Sequence, residues 1–578
     1  MVIETEHYTV RWPVDSMAIT VLREGIGLLQ LPLVAGLSTP TAPEHLSQLQ
    51  AQPIEQQGDM IRLTIQAESS CWQARRFVWE FGPTAITFQH MAEGSGPLGQ
   101  CFFCSNGIPT PWSASSEHGI AGNARVNAEH CFTPRLNHAN QLFHDIAMPQ
   151  SLGILNESPV GRVIEGNPGQ YFLPEHYTRL FCPPPLMLAF GSGEAWVGLE
   201  IGDQPGNYQF NSFEYSGARF SGASFSVDYH GYRSSTGSFA SPVLALHFGY
   251  SPYQVLAEHI GWVNTAGFGT VRRAQTAAWH REPIVCGWAE QGVLASHHGG
   301  RAADYATQAW YERWIALWEQ RGLPFGTIVI DDKWQRHYGT FEIDTAKWPD
   351  MPGFVARQHA QGRRVLLWVP GHHREGLDPA LCVHYQGQPV TGDVSNPAYE
   401  AFLRERISDL MLHVGVDGFK EDWIGGLVAV AGLETHAPLF GIEFLRRFQF
   451  ILHDQTHQCK ADALVETQTP HPLFYESSDM LRLNDLWFAA RDVPAIMRAR
   501  ARIARIAGWD VIDCDNASST TLAEWRQYMQ IQPSIGVPSL YFANETESTF
   551  EQPSDAQWAY LAELWRRYRY EQGLATAH

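Results

Sequence analysis

The chain has 578 residues, of which 44% are hydrophobic and 17% are charged, with 20 Trp and 30 Phe. This globular composition excludes a disordered chain, and the length exceeds what one hydrophobic core supports. The formal net charge of −20 repels phosphate backbones and anionic lipids, so neither nucleic acid nor a membrane surface is an expected partner.

No segment for export or membrane insertion stands out in the sequence. The first 16 residues carry Glu4, Glu6 and Arg11, and no apolar stretch of about 18 residues occurs anywhere. The nine cysteines are an odd number, and the pair Cys101 and Cys104 has no second pair at the spacing of a zinc site. We therefore expect a cytoplasmic protein with reduced thiols, no metal and no cofactor.

Residues 1–265 are predicted to form an N-terminal domain rich in β-strands. Short apolar runs alternate with Gly, Pro, Asn and Ser at close intervals, which is typical of a large antiparallel β-sandwich. The polar and aromatic segment 165–177 is compatible with a loop that reaches a neighbouring active site or with a plain surface loop. The clearest predicted strands are 17–22, 60–66, 85–89, 186–190 and 243–248.

Residues 266–578 are predicted to form a second domain in which strands and helices alternate. A helix at 302–320 places Trp310, Trp314 and Trp318 on one face, and Gly322 ends it. Asn396 is the expected N-cap of a later helix that runs to residue 413. Eight strands separated by helices predict an α/β fold, a (β/α)₈ TIM barrel. The strands are 284–288, 327–330, 364–369, 415–424, 463–467, 479–484, 510–513 and 538–542.

Polar and aromatic residues of this domain cluster where the predicted strands end. The carboxyl ends of all barrel strands meet at one face, so these side chains are expected to share a pocket. Carboxylates accept pairs of hydroxyl hydrogens and indoles cover the apolar face of a sugar ring, so the set suits a carbohydrate. The expected lining is Trp288, Asp331, Asp332, Trp368, His372, His373, Lys420, Asp422, Glu466, Gln468, Arg482, Asp485, Asp513 and Asp515.

Several of these residues also have simpler interpretations. His372 could be an exposed loop residue, and Trp288 could belong to the core. Glu466 could pair with Arg482 rather than with a hydroxyl group. The charges at 420–422 are equally compatible with a solvated loop, so the strand assignment decides between the two interpretations.

Asp422 and Asp485 are the candidate catalytic pair. Carboxyl groups on strands four and six can flank a glycosidic bond, the ionised one attacking the anomeric carbon while the protonated one gives its proton to the leaving oxygen. Lys420 would keep Asp422 ionised, and Arg482 would orient the acid or a sugar hydroxyl. Such a double displacement needs roughly 5 to 6 Å between the carboxyl oxygens. The alternative is a divalent metal bound by strand-end carboxylates such as those of 513–515.

The same segments resemble glycoside hydrolase family 31, most closely its α-galactosidase-type branch. The resemblance covers about residues 284–545 and follows the family's order. Its most specific parts are Ile330-Asp331-Asp332-Lys333-Trp334-Gln335 and Gly415-Val416-Asp417-Gly418-Phe419-Lys420, with 338–344, 348–351, 359–362, 365–369 and 393–397 between them.

This resemblance implies a role for each matching residue. Asp422 falls on the nucleophile and Asp485 on the acid/base, with Asp479 as a second candidate acid that the start of strand six would place on the wrong face. Glu421 before the nucleophile and Asn484 before the acid depart from the family pattern and leave the substrate open. The residues implied to hold the sugar are Asp331, Asp332, Trp368, Lys420 and Arg482.

The expected protein is a retaining exo-acting α-glycosidase that acts on a terminal sugar of an oligosaccharide or glycoside, with an α-galactoside as the first expectation. It uses no cofactor, and a homo-oligomer is compatible with the sequence. An α-glucosidase, a glycosidase for a modified sugar, a sugar-binding barrel without catalysis and a metal-dependent barrel isomerase remain open.

Overall fold

The computed structural model describes residues 1–13, 16–105, 123–136, 142–144, 146, 150–153, 185–218, 222–272, 276–424, 431–485, 492–516 and 521–575. Antiparallel sheets occupy the chain up to residue 249, and a parallel barrel follows between residues 284 and 540. The predicted TIM barrel preceded by antiparallel β-structure is confirmed. The domain boundary at residues 265 and 266 stays a prediction, and the segment 165–177 lies outside the described residues.

Three antiparallel sheets make up the N-terminal part of the described chain. Their cores form by strand alternation: in the strand Ala74–Phe81, Phe77, Trp79 and Phe81 are buried, whereas Arg76 and Glu80 are less so. The strand orders are β1-β2-β3-β4-β11, β10-β18-β17-β14 and β13-β12-β15-β16-β20-β9-β8-β7-β5. The bounds are β1 Val2–Glu4, β2 Thr9–Arg11, β3 Ala18–Arg23, β4 Ile26–Pro32, β5 Leu46–Ala51, β6 Glu55–Gln57, β7 Met60–Ser69, β8 Ala74–Phe81, β9 Ala85–Pro97, β10 Gln100–Phe103, β11 Arg125–Val126, β12 His130–Phe132, β13 Phe143–His144, β14 Gln150–Gly153, β15 Met187–Ser192, β16 Ala195–Gly202, β17 Ser212–Ala218, β18 Gly222–Asp228, β19 Ser234–Ala240 and β20 Val243–Gly249.

Eight parallel strands form the barrel, in the order β30-β29-β28-β26-β23-β22-β21-β31. A parallel bridge between Asp513 and Val537 joins the two ends of this sheet and closes it. Three further strands form a small antiparallel sheet, β25-β24-β27, that the sequence patterns did not predict. The bounds are β21 Ile284–Cys286, β22 Thr327–Ile330, β23 Arg364–Pro370, β24 Cys382–Tyr385, β25 Gln388–Gly392, β26 Gly418–Asp422, β27 Leu433–Glu434, β28 Leu464–Thr467, β29 Met480–Arg482, β30 Ile512–Asp513 and β31 Ser539–Leu540.

Most of the helices begin at polar caps that are visible in the sequence. The Asn396 side chain accepts the Ala398 backbone N–H as predicted, but a π-helical segment, Asp409–Val414, replaces the last turn of that helix. No helix in the described ranges has both the length and the apolar character needed to cross a membrane. The helices are α1 Pro252–Thr265, α2 Trp288–His298, α3 Gln308–Gln320, α4 Met351–His359, α5 Pro397–Ser408, α6 Gly441–Cys459, α7 Val493–Ile506, α8 Leu522–Ile535 and α9 Asp555–Glu571.

Asp417 links the base of β26 to three neighbouring elements. Its buried carboxylate lies 2.7 Å from His359 Nε2 and 2.6 Å from Lys460 Nζ. Arg364 Nη1 is 3.2 Å away, and the Val365 backbone N–H donates to it at 2.9 Å. One carboxylate therefore compensates several charges and a buried donor at the N-terminal end of the barrel strands.

We expect Asp417→Ala to lower the free energy of unfolding by about 3 kcal/mol, because the Val365 N–H and the surrounding charges lose their partner. Chemical denaturation measures this change. Asp409→Ala is the matched control, since that exposed carboxylate pairs only with surface groups and contributes less than about 1 kcal/mol. Equal losses in the two variants would contradict the role given to Asp417.

Candidate active site

Side chains along strand β26 alternate between the inside and the outside of the barrel. Lys420 points into the barrel, where its Nζ lies 2.6 Å from Asp331 Oδ2 of the segment that follows β22. Glu421 points outward and accepts a hydrogen bond from the Gln449 side chain on α6. Asp422 again faces the barrel mouth, with 18% of its side chain exposed. The solvated-loop interpretation of these three charges therefore fails, since Lys420 and Glu421 are buried.

Asp422 is held by donors from three barrel strands. The Trp368 indole N–H donates to Oδ2 at 3.1 Å, and the Gln468 amide donates to Oδ1 at 3.2 Å. Arg482 Nη1 lies 3.5 Å from Oδ1, and the Trp423 backbone N–H donates to the same oxygen at 2.9 Å. Burial alone would raise the pKa of Asp422, but the cations Arg482 and Lys420 outweigh it and hold that pKa below its usual value.

Arg482, at the end of β29, connects Asp422 with Asp515. Its Nη2 donates to Asp515 Oδ1 at 3.2 Å, and its Nε lies 3.1 Å from Oδ2. The Tyr541 hydroxyl donates to Asp515 Oδ1 at 3.0 Å. Burial would raise the pKa of Asp515, yet Arg482 and Lys420 lower it to about 2. Asp515 is thus the fixed counter-ion that keeps the buried guanidinium in position beside Asp422.

Asp485 follows β29 at the same mouth and has the opposite electrostatic character. Burial raises the pKa of Asp485 well above its usual value. The negative charges of Asp515 and Asp422 raise it further, and the positive charge of Arg482 opposes the shift. The backbone of this segment is fixed by Arg500, whose Nη1 donates to the Asn484 and Asp485 carbonyls at 2.7 and 3.2 Å. The environment of Asp485 therefore favours its protonated form, whereas that of Asp422 favours the carboxylate.

Asp331 and Asp332 differ in whether a carboxyl oxygen remains without a hydrogen-bond partner among the described residues. Asp331 Oδ2 takes the Lys420 ammonium and also accepts the Cys286 thiol at 3.1 Å. Asp332 Oδ1 has no hydrogen-bond partner among the described residues. Burial raises the pKa of Asp332 to about 7, with a Tyr338 hydrogen bond opposing this shift and the Asp331 charge adding to it. Of the two carboxyl groups, Asp332 has the free acceptor for a bound hydroxyl group.

Glu466 lies inside the barrel below the mouth. Neither of its carboxyl oxygens has a hydrogen-bond partner within the described parts of the chain. Burial raises the pKa of Glu466 well above its usual value, and the charge of Asp513 adds to the effect. Burial and the Asp515 charge likewise raise the pKa of Asp513 to about 6. The interior of the barrel therefore favours the protonated form of Glu466, although the Lys420 and Arg482 charges oppose this.

An aromatic wall stands beside Asp422. The Trp368 and Trp423 rings meet edge to face with centroids 5.0 Å apart, and Tyr338 lies 5.1 Å from Trp423 and 5.9 Å from Trp368. His373 packs on Tyr338 at 4.7 Å, and burial lowers the pKa of His373 to about 4, so its ring is neutral. Tyr338 and Trp423 were not predicted as site residues, although both lie in or directly after the segments that resemble family 31.

Some predicted site residues lie elsewhere. His372 packs between Phe444 and Phe448 of α6, with ring centroids 5.6 and 5.3 Å away, and burial lowers its pKa to about 3. Trp288 is the first residue of α2 and packs, half-buried, against the hydrophobic core. Asp479 precedes β29 at the base of the barrel. The structure does not bring these three side chains into contact with Asp422.

The site thus combines a carboxyl group with a lowered pKa, a carboxyl group with a raised pKa, a guanidinium between anions, and a wall of indole and phenol rings. In such a pocket, an oxygen of one carboxyl group can attack an electrophilic carbon, and the other carboxyl group can donate a proton. The apolar face of a bound ring can lie on the aromatic wall.

Comparison with known proteins agrees with this architecture. Residues 291–430 match the family described as the glycosyl hydrolases family 31 TIM-barrel domain, a region that includes β22, β23 and β26 with Asp422. No curated protein matches the sequence.

Several solved structures share the fold. A family 31 sulfoquinovosidase from E. rectale has a TM-score of 0.57 at 10% identity, over 99% of this chain and 84% of that one. A cycloalternan-forming enzyme from Listeria monocytogenes has a TM-score of 0.53 at 11% identity, over 99% and 54%. A family 36 α-galactosidase from Geobacillus stearothermophilus has a TM-score of 0.52 at 10% identity, over 99% and 86%. At these identities the likeness concerns the fold.

Proposed function

Because residues 291–430 match the glycosyl hydrolases family 31 TIM-barrel domain, we propose that this chain is a retaining, exo-acting α-glycosidase that works by double displacement. The observation that supports this most is the opposite electrostatic tuning of two carboxyl groups at one barrel mouth. The pKa of Asp422 is lowered by Arg482 and Lys420 against burial, whereas burial raises that of Asp485. Such divergent pairs distinguish a nucleophile from a proton donor.

In the first step, a carboxylate oxygen of Asp422 attacks the anomeric carbon and forms a glycosyl ester. The bond to the leaving oxygen breaks, and that oxygen takes the proton of Asp485. Trp368, Gln468 and Arg482 hold the Asp422 carboxylate in one orientation, so little reorganisation is needed before attack.

In the second step, Asp485 is a carboxylate and accepts a proton from water, whose oxygen attacks the anomeric carbon. The ester bond breaks and Asp422 leaves as a carboxylate. The same donors that fixed Asp422 now stabilise the leaving anion. Two inversions at one carbon give net retention of the α configuration.

The sugar at the cleaved end would lie between the aromatic wall and Asp332. Indole and phenol rings cover its apolar face, and Asp332 Oδ1 is available to a hydroxyl group. Asp331 and Lys420 are each other's partners at 2.6 Å, so they fix the floor of the pocket. We propose an α-galactoside as the first substrate to test, followed by an α-glucoside and an α-glycoside of a modified sugar.

The test is a panel of aryl α- and β-glycosides of these sugars, with and without EDTA. We expect turnover of one α-glycoside, the α-anomer as the first-formed product by NMR, and an unchanged rate in EDTA because no step uses a metal. A β-anomer formed first would contradict double displacement. Sugar binding without turnover would favour the non-catalytic barrel, and a loss of turnover in EDTA that a metal reverses, without any loss of folded protein, would favour a metal-dependent enzyme.

A further inference from the structure

A second cluster of titratable side chains lies on α6 and before β29, away from the barrel mouth that holds Asp422. His453 and His457 are four residues apart, so they lie on one face of the helix, with ring centroids 4.2 Å apart. Both rings meet Asp479, the residue before β29. The proposed glycosidase mechanism uses none of these three side chains.

The three side chains converge on a small volume. His453 Nε2 lies 3.1 Å from Asp479 Oδ1, and His457 Nε2 lies 3.0 Å from Oδ2. One nitrogen or oxygen from each residue lies within 4.8 Å of the others. The carboxylate is also fixed from behind, since the Val465 backbone N–H donates to Oδ2 at 2.8 Å.

The hydrogen bonding of His457 leaves its Nε2 facing Asp479, where either a proton or a metal ion can lie between the two atoms. Its Nδ1 lies 3.1 Å from the Ala461 carbonyl oxygen, which can only accept, so Nδ1 carries a proton. In the neutral ring the lone pair is then on Nε2 and faces an anionic oxygen of Asp479. A metal ion between the two satisfies both, and metal-binding histidines commonly donate their other N–H to a carbonyl in this way.

We propose that His453, His457 and Asp479 bind one divalent transition-metal ion, with Zn²⁺ as the best match. Zn²⁺ prefers imidazole nitrogen and carboxylate oxygen at about 2.0–2.2 Å, which in a tetrahedron separates the ligand atoms by about 3.3 Å. The nitrogen–oxygen separations of 3.1 and 3.0 Å involve different oxygens of Asp479, so a metal held by one of these oxygens requires the two rings to move towards that oxygen. The His457 side chain is 15% exposed, which leaves access for a water molecule as fourth ligand.

The position of this site indicates a structural role. Asp479 precedes β29, whereas Arg482 ends that strand and Asp485 follows it, so the metal lies at the base of the barrel, opposite the proposed active site. It would join α6 to the start of β29 and, through the Val465 N–H, to β28. A metal here stabilises the folded chain by mass action and takes no part in turnover.

The test is calorimetric titration of Zn²⁺ into the full-length, tag-free, chelator-treated protein. We expect one saturable site per chain and a melting temperature that rises with Zn²⁺. His457→Gln keeps an N–H that can reach Asp479 but loses the ring nitrogen. It should weaken binding by at least about 100-fold, since even the loss of an outer partner costs about 10- to 100-fold. His413→Gln, on an 80% exposed side chain, is the matched control and should leave binding unchanged.

Two measurements keep the proposal testable if His457→Gln does not fold. His453→Gln removes the other ring and should have the same effect. In the wild-type chain, Zn²⁺ should protect His457, but not His413, from acylation by diethyl pyrocarbonate. Absence of saturable Zn²⁺ binding in the stripped wild-type protein, or equal affinity in the wild type and a folded His457→Gln, would overturn the site and leave a hydrogen-bonded triad.

Discussion

Asp422→Asn is expected to lower kcat by about 10⁴- to 10⁶-fold, because the side-chain amide is a far weaker nucleophile than the carboxylate that forms the covalent intermediate. The amide keeps the size of the carboxylate and can still accept from Trp368, so the loss would reflect nucleophilicity rather than packing. Steady-state turnover of the best aryl α-glycoside measures it. A 2-deoxy-2-fluoro analogue of the same sugar should label the peptide that contains Asp422.

Glu421→Gln is the matched control for this variant. Burial raises the pKa of Glu421 well above its usual value, which favours its neutral form, and its oxygen accepts from the Gln449 side chain outside the barrel. An amide at this position should leave kcat within about 10-fold of the wild type. Labelling of another carboxylate, or equal losses in Asp422→Asn and Glu421→Gln, would remove Asp422 as the nucleophile.

Asp485→Asn is expected to lower kcat/KM by about 10²- to 10⁴-fold for a substrate with a poor leaving group, since the leaving oxygen loses its proton donor. For a dinitrophenyl glycoside, whose leaving group needs no proton, the same variant should show a much smaller decrease in kcat/KM. Similar losses with both leaving groups would show that Asp485 is not the acid.

The pH profile gives an independent test of the same pair. Asp485 acts protonated and its pKa is raised, so wild-type activity should fall on the alkaline side as the pH rises through that pKa. Asp422 acts ionised and its pKa is lowered, so activity should fall on the acidic side only below the usual aspartate range. In Asp485→Asn the alkaline limb should disappear while the acidic limb remains.

The elements of the barrel follow from patterns local to the chain. Every predicted barrel strand is present, with ends that differ by a few residues. These predictions succeed because an apolar run bounded by Gly, Pro or polar caps is a pattern of only a few consecutive residues. Helix α2 was missed because residue 288, assigned to strand one, begins it. Helix α1 was missed although Ser251 caps it and Pro252 starts it. The resemblance to family 31 was confirmed by the match over residues 291–430.

Local patterns in the sequence thus predicted the barrel, the resemblance to family 31 and the acidic residues that end strands at one face; the catalytic roles of Asp422 and Asp485 stay predictions. The sequence did not reveal that Arg482 lies between Asp422 and Asp515, that Lys420 pairs with Asp331, or that His372 packs against α6. Strand and helix patterns depend on residues that are near neighbours in the chain. Charge state and side-chain direction instead depend on burial and on charges that other strands bring close.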